Sequence, residues 1–241
     1  MNLKVLAIGN SFSQDATRYL HQIAKADDVD LKVVNLYIGG CSLSTHYQNM
    51  LEDKRAYSLE FNGEVTGFFV SIREALESDT WDVVTLQQVS QEAPRYDTYQ
   101  PYLDELAAYV RRYRPESKLY IHQTWAYEEN SARLCEELKY ARPQEMLDDV
   151  KAAYAKAAEA ISADGLIPSG ELMEALLENG IPKVHRDTYH VLLGLGRYAL
   201  GLLWYHKLMG RAVASNTFAE FDEPISSADI RIIKDIVDKI G

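Results

Sequence analysis

Two short segments of the chain carry side chains that are suited to nucleophilic chemistry. The first is GNSFS at positions 9–13, which contains Ser11 and Ser13 and directly follows an apolar stretch. The second is DTYH, in which Asp187 precedes His190 by three residues. A serine hydroxyl becomes a strong nucleophile when an imidazole takes its proton and a carboxylate orients that imidazole. Together the two segments could supply all three groups.

Each segment also has a simpler interpretation. Ser11 or Ser13 could cap the helix that starts here, or the loop could hold a phosphate at the helix N-terminus. A dinucleotide site is disfavoured because the G-x-G-x-x-G pattern needs three glycines and this loop has one. D-x-x-H alone is a weak pattern, which gains weight here because it follows the last predicted strand while the serines follow the first.

The chain has six histidines, and their positions distinguish them. His21 and His206 fall inside predicted helices, where surface or packing roles are expected. His122 ends a predicted strand and could line a cleft without taking part in chemistry. His190 is the best candidate for a base because Asp187 lies on the same short loop.

The elements that must position these residues alternate between short β-rich runs and longer helical patterns. This alternation predicts an α/β fold, a doubly wound parallel sheet with helices on both faces and its ligand crevice at the carboxyl ends of the strands. Five strands are predicted, at 3–9, 31–37, 81–88, 118–123 and 166–168, and a hairpin with an Asn-Gly turn at 57–70. The predicted helices are 14–26, 71–77, 99–114, 143–163, a segment ending at 178, 191–209 and 226–240.

Composition limits the classes of function. The 241 residues allow one large domain or two small ones, and 47% hydrophobic with 25% charged residues is typical of a folded chain. Because the predicted sheet uses the whole length, a single domain over 1–241 is expected. The net charge of −11 disfavours nucleic acid as a partner, and no apolar run approaches the roughly 18 residues that cross a membrane. Two cysteines, Cys41 and Cys135, and an opening segment that is typical of a strand favour a cytoplasmic protein. A leader trimmed before this start is the alternative.

Several segments, in a fixed order, resemble the SGNH (GDSL-type) hydrolases. They are GNSFS, a Gly-Gly turn after the second strand, a polar cluster after the third strand and the late D-x-x-H. More narrowly, GNSFS, WDVVTLQQVSQ and DTYHVLLGLGRYALGLLWYHKLMG are similar to the DUF4886 branch of that superfamily, and the similarity runs from Lys4 to about Gly210. The resemblance implies a flavodoxin-like three-layer α/β/α sandwich with a five-stranded parallel sheet. It also implies ester hydrolysis through an acyl-serine.

The resemblance further implies a role for each residue of the site. Ser11 would be the nucleophile and His190 the general base, with Asp187 orienting the imidazole. The N–H groups of Ser11 and Gly40 would hold the oxyanion, with Gly39 as the second choice to Gly40.

The third oxyanion donor departs from the superfamily pattern. An asparagine from a G-x-N-D motif is usual there, whereas this sequence has Gln87-Gln88-Val89-Ser90-Gln91. A glutamine carries the same amide donor on a longer arm. Gln88 is therefore the expected third donor, with Gln87 or Gln91 as alternatives.

The expected substrate is a small acyl ester, acetyl in the first place, on a carbohydrate or other small molecule. Aromatic side chains on the cleft loops suit sugar rings, and those loops lack the large apolar runs of a lipase. Side chains expected to contact the substrate are Asn10, Gln91, Trp125 and Tyr189. No metal or other cofactor is expected. The alternatives are a non-catalytic module that binds a glycan or small molecule and, third, a nucleotide or phosphate binder.

Overall fold

A seven-stranded sheet forms the centre of the computed structural model, which describes residues 2–240. The strands are β1 (Asn2–Gly9), β2 (Asp30–Tyr37), β3 (Tyr57–Phe61), β4 (Glu64–Val70), β5 (Val83–Leu86), β6 (Lys118–His122) and β7 (Gly165–Ile167). The helices are α1 (Ser11–Thr17), α2 (Leu20–Lys25), α3 (Leu43–Leu51), α4 (Ile72–Glu77), α5 (Tyr102–Tyr113), α6 (Pro143–Ala160), α7 (Ser169–Glu178), α8 (Leu195–Met209) and α9 (Ser227–Ile240).

The strand order is β4-β3-β2-β1-β5-β6-β7, and the last five of these strands are parallel. They are the five strands that the sequence predicts, and their order is that of flavodoxin-like sheets. This part of the prediction is confirmed. The order reverses between β1 and β5, so the ends of these two strands flank the expected crevice.

The predicted strand count is too low by two because the hairpin joins the sheet. β3 pairs antiparallel with β2, and β4 extends the sheet beyond β3 as an edge strand. Asn62 and Gly63 form the turn with φ angles of 52° and 86°, which is the backbone that a tight hairpin needs. Towards the end of the outer strand, the side chains of Phe68 and Phe69 are both exposed.

Helices cover both faces of the sheet, and β1 shows how the sequence produces the two cores. Val5 and Ala7 point into a core formed with α1, α2, α7, α8 and α9. Leu6 and Ile8 point into the opposite core, formed with α3 to α6. A strand segment that is buried on both faces must be apolar, as residues 5–8 of β1 are. The three-layer α/β/α arrangement follows.

The helical segments near residues 11–26 and 43–51 differ most from the prediction, and α8 begins four residues later than predicted, at Leu195. The single helix predicted at 14–26 is two helices, α1 and α2, and it begins earlier, at Ser11. Near the break, the Thr17 hydroxyl donates to the Ser13 carbonyl at 2.9 Å, a side-chain bond that bends helices. α3 was not predicted, and Ser42 caps it by accepting from the Thr45 N–H. Within residues 2–240, no helix combines the length and the apolar character that a bilayer-spanning segment requires.

Candidate active site

The turn between β1 and α1 places Ser11 at the first position of the helix. Asn10 caps this helix, because its Oδ1 accepts the N–H of Phe12 at 3.1 Å. The two serines of the segment are therefore not the cap. Position 9 must be glycine, since a Cβ there would lie 2.5 Å from the Ser13 Oγ. Ser13 is buried and donates to Asn35, so Ser11 is the serine of this segment that remains partly exposed.

The loop between α7 and α8 carries the second half of the site. Asp187 Oδ1 accepts the N–H groups of Tyr189 at 2.9 Å and His190 at 2.8 Å, which closes a short turn. Burial would raise the pKa of Asp187, but these two N–H donors and the imidazole lower it to about 2. The carboxylate is therefore ionised at neutral pH.

The structure brings Ser11, His190 and Asp187 into one hydrogen-bonded relay. His190 Nδ1 lies 2.8 Å from Asp187 Oδ2, and His190 Nε2 lies 2.8 Å from Ser11 Oγ. An ionised carboxylate only accepts, so Nδ1 carries the ring proton and Nε2 accepts the serine hydroxyl. This is the arrangement in which a histidine can remove a serine proton.

Two backbone N–H groups near Ser11 are available to an anion. The N–H of Ser11 itself has no intrahelical partner, because it belongs to the first turn of α1. The N–H of Gly40 makes no hydrogen bond among residues 2–240, and its residue sits in a turn with φ of 63°. Asn10 Nδ2 donates to the Cys41 carbonyl at 3.0 Å, which holds this turn against the Ser11 turn.

The expectation that Gln88 donates to an oxyanion is wrong, because its amide is already bound. Gln88 is fully buried, and its Nε2 donates to the carbonyl and hydroxyl of Thr98, both at 3.1 Å. Its Oε1 accepts the N–H of Leu43 at 2.9 Å, at the start of α3. The longer arm of glutamine thus reaches the neighbouring loops and fastens them. Gln87 is buried as well, and Gln91 is exposed without a hydrogen bond in the described chain.

Two of the four predicted substrate contacts are structural instead. Asn10 is 1% exposed, and its amide is bound to Phe12, Cys41 and Gln87. Trp125 is completely buried, so it cannot touch a substrate. These two predictions are wrong because both side chains are buried and bound within the protein.

Trp125 instead supports both halves of the site. Its ring stacks on Phe12 with centroids 4.0 Å apart, next to Ser11, and its Nε1 donates to the Tyr189 carbonyl at 2.7 Å. Tyr189 remains half-buried, with its ring 4.1 Å from that of His190. Of the predicted contacts, Tyr189 is the side chain that the structure places beside the relay.

A second, fully buried relay lies at the same ends of the strands. Gln87 Nε2 donates to Asn10 Oδ1 at 2.7 Å, and Gln87 Oε1 lies 2.8 Å from His122 Nδ1. His122 Nε2 lies 3.0 Å from Ser169 Oγ. His122 was a candidate to line the cleft, but it is 0% exposed and does not. This chain of bonds instead fixes the Asn10 cap beneath Ser11.

A cavity of about 560 Å³ lies behind the site, between α6, α7 and the loops 126–130 and 182–185. Ser11, Asp187 and His190 do not line it. The Glu128 N–H donates to the Thr188 carbonyl at 2.8 Å, so the loop that forms one wall of the cavity also braces the relay. Within the described chain, no three His, Cys, Asp or Glu side chains form a group that could hold a metal ion.

One ion pair at the site escaped the sequence interpretation. Asp15, on α1, is fully buried and binds Arg186, the residue before Asp187. An acidic residue on the buried face of a short helix was the available signal, because such a residue needs a partner. The partner is 171 positions away, and no local pattern identifies it.

Solved structures with a similar fold include SGNH hydrolases. A protein from Slackia heliotrinireducens, provisionally described as an SGNH hydrolase, has a TM-score of 0.61 and 20% identity, over 86% of this chain and 100% of that one. A protein from Parabacteroides merdae, provisionally described as a GDSL-like lipase, has a TM-score of 0.58 and 14% identity, over 87% and 96% of the two chains. The chain therefore has the fold of the SGNH hydrolases, as its sequence predicts.

Within that class, the chain belongs to the DUF4886 family, a domain of unknown function, whose family model matches residues 4–237. A DUF4886 family protein from Bacteroides uniformis, known from a crystal structure, is 33% identical with a TM-score of 0.93. The match covers 99% of this chain and 94% of that one. A comparison with curated proteins gave no match.

Proposed function

We propose that the protein is a serine ester hydrolase that cleaves small acyl esters, acetyl esters in the first place, through an acyl-serine intermediate. The observation that carries this proposal is the unbroken relay of two 2.8 Å hydrogen bonds from Ser11 through His190 to Asp187. The relay stands at the carboxyl ends of the strands, where ligands bind in open α/β sheets.

In the acylation step, His190 Nε2 takes the proton of Ser11 as Oγ attacks the ester carbonyl carbon. The carbonyl π electrons move to oxygen, which gives a tetrahedral oxyanion, and Asp187 stabilises the imidazolium. When the intermediate collapses, the C–O bond to the alcohol breaks and His190 gives its proton to the leaving oxygen. The product is an acyl ester of Ser11.

Deacylation repeats these steps with water in place of the serine. His190 removes a proton from water, the hydroxide oxygen attacks the acyl carbon, and His190 then protonates Ser11 as it leaves. The products are the carboxylic acid and the free enzyme. In this mechanism, every proton transfer uses the same nitrogen, Nε2.

The N–H groups of Ser11 and Gly40 would bind the oxyanion in both steps. Because the Nε2 groups of Gln87 and Gln88 donate elsewhere, the site has these two backbone donors, and Gln91 is the remaining alternative for a third. One donor is typically worth a factor of about 10²–10³ in rate. We therefore expect a slower hydrolase than one that has all three donors.

A small acyl group and a polar alcohol fit the surface around the relay. None of the large hydrophobic side chains that are exposed belongs to the relay loops, and most are on the β3–β4 hairpin, such as Phe68 at 69% exposed. A long acyl chain needs such side chains beside the serine. The half-buried ring of Tyr189, next to His190, offers an aromatic face of the kind that sugar rings pack against.

The proposal is tested by hydrolysis of p-nitrophenyl acetate, butyrate and octanoate and by labelling with a fluorophosphonate. We expect the acetate to be the best substrate and the label to map to Ser11. Ser11→Ala should lose roughly 10⁴-fold or more in kcat and all labelling. Ser13→Ala is the matched control, since Ser13 is two residues away but buried against Asn35.

A wild-type protein that neither hydrolyses these esters nor takes the label would contradict the proposal. Binding of sugars to such an inactive protein, measured by calorimetry, would favour the non-catalytic module instead. A preference for octanoate would contradict the small acyl group but not the serine mechanism. A screen over acetylated sugars, with Ser11→Ala as the blank, then identifies the alcohol.

A further inference from the structure

A buried carboxylate joins the two halves of the site. Asp15 lies on α1, four residues after Ser11, and is 0% exposed. Two arginines bind it, Arg186 through Nη1 to Oδ2 at 2.9 Å and Arg197 through Nε to Oδ1 at 2.8 Å. A buried carboxylate needs such partners, because an unpaired charge in the interior is costly.

Arg186 belongs to the loop that carries His190 and Asp187. Its backbone N–H donates to the His190 carbonyl at 2.8 Å, and its Nη1 donates to the carbonyl of Val191 as well as to Asp15. One residue thus closes the turn from within and ties it to the helix of the serine.

We infer that Arg186 is a positioning residue, which acts through Asp15 to hold His190 within hydrogen-bond distance of Ser11. This inference rests on the proposed function. Ser11 and His190 are 179 residues apart in sequence, and one 2.8 Å hydrogen bond joins their side chains directly. Misplacing a reacting group by about 1 Å can cost 10²-fold in rate. The Asp15–Arg186 pair is the ionic connection that fixes one segment relative to the other.

Arg197 provides the contrast that makes the inference testable. It binds the same carboxylate, but it lies on α8, and its second partner is Asp222 at 2.8 Å. Asp222 also binds Arg18, so this branch leads away from the catalytic loop. Arg186→Gln and Arg197→Gln therefore each remove one cation from Asp15, but only the first loosens the loop that holds His190.

The experiment compares these two variants with p-nitrophenyl acetate. We expect Arg186→Gln to lower kcat about 100-fold with KM nearly unchanged, because the binding surface stays while the relay is misaligned. The rate of fluorophosphonate labelling at Ser11 should fall in parallel. Arg197→Gln should keep kcat within about threefold. The thermal unfolding temperature should fall by a similar amount in both glutamine variants, because each removes one cation from Asp15. Arg186→Lys, which keeps the charge, should recover part of kcat.

Equal losses of kcat in the two glutamine variants would overturn the inference, since they would indicate a structural ion pair without a catalytic consequence. A rise in KM with an unchanged kcat would overturn it too. If Arg186→Gln does not fold, Arg186→Lys decides. A lysine reaches Asp15 but cannot also hold the Val191 carbonyl in the same geometry, so kcat should fall about tenfold, and an unchanged kcat contradicts the inference. A wild type without activity or labelling refutes the proposed function instead.

Discussion

Two serine–histidine pairs lie at the same end of the sheet with nearly the same geometry. Ser11 Oγ is 2.8 Å from His190 Nε2, and Ser169 Oγ is 3.0 Å from His122 Nε2. The pairs differ in the third partner, since His122 is bound at Nδ1 by the amide of Gln87 and not by a carboxylate. They also differ in access, since His122 and Ser169 are fully buried and the His190 side chain is 17% exposed.

The comparison shows that a short distance from serine to histidine does not make a nucleophile. Removing the proton of a serine creates an imidazolium, which Asp187 can stabilise and the neutral amide of Gln87 cannot. Burial lowers the pKa of His122 to about 3, so this ring stays neutral and is a poor base. The same two side chains thus form a proposed catalytic pair at the surface and a structural link in the interior.

Asp187→Asn gives the exposed pair the amide partner that the buried pair has, and it has the largest expected effect. Asparagine still accepts the N–H groups of Tyr189 and His190, so the turn should persist while the imidazole loses its negative partner. We expect kcat for p-nitrophenyl acetate to fall about 10⁴-fold. Thr188→Ala is the control, because its side chain makes no hydrogen bond in the described chain. A loss below tenfold would show that the carboxylate has no such role.

The second prediction concerns pH and the buried histidines. The folded-state pKa of His122 is about 3 and the unfolded value about 6.5, so below pH 6.5 the unfolded chain binds a proton that the folded chain does not. The contribution of His122 to the free energy of unfolding is therefore complete above pH 6.5. It is lost as the pH falls towards 3, by up to about 1.4 kcal/mol per pH unit. Burial lowers the pKa of His46 to about 3 as well, so its contribution adds.

Urea unfolding at pH 7, 6, 5 and 4 measures this slope. His122→Gln removes one titrating group and should flatten the dependence between pH 6 and 4 by about 1.4 kcal/mol per unit. Thr188→Ala, which removes no titrating group, is the control and should leave the slope unchanged. A His122→Gln slope equal to that of the wild type would contradict the neutral, buried ring.

Ser169→Ala should destabilise the fold without stopping the reaction. It leaves His122 Nε2 buried without its partner, which costs about 1–3 kcal/mol in the free energy of unfolding. We expect kcat to stay within about threefold of the wild type. Thermal and urea unfolding, measured with the kinetics, separate the two quantities. A large loss of kcat at unchanged stability would mean that the buried pair takes part in the chemistry.

The smallest expected effect comes from the surroundings of the exposed pair. The guanidinium of Arg133 lies 4.3 Å from the centre of the Tyr189 ring, which packs on His190. A cation there should favour esters that carry a carboxylate, by about 1 kcal/mol or roughly fivefold in kcat/KM. Arg133→Gln should lose this preference for p-nitrophenyl succinate over p-nitrophenyl acetate. Arg142→Gln, at the start of α6, is the control, and a preference that survives Arg133→Gln would refute the role.

Local patterns in the sequence were sufficient to predict much of the fold and the two halves of the relay. The five parallel strands are short apolar runs separated by helical patterns, and the rule that sites follow strand ends then selects the turn after β1. Asp187 and His190 are three residues apart, so one turn decides whether they meet. Their connection to Ser11 rested on the places of the two segments after the first and the last predicted strand and on the resemblance to the SGNH hydrolases, since nothing local joins positions 11 and 190.

The tertiary structure decided which polar groups are free and which are already bound. Gln88 and Asn10 have the right chemistry for the site, but packing commits their amides to Thr98, Cys41 and Gln87. The tertiary structure also decided that the hairpin joins the sheet, because β3 pairs with the free edge of β2.

The sequence by itself thus determined the parallel sheet, the serine turn after its first strand and the aspartate–histidine turn near the end of the chain. These features depend on residues that are close in sequence. Only the tertiary structure decided that Asp15 meets Arg186, that His122 is sealed with Ser169, and that Trp125 supports the site from below. The reason is physical: whether a polar group is exposed, paired or buried depends on segments 47 to 171 residues away, which meet only when the sheet and its helices pack.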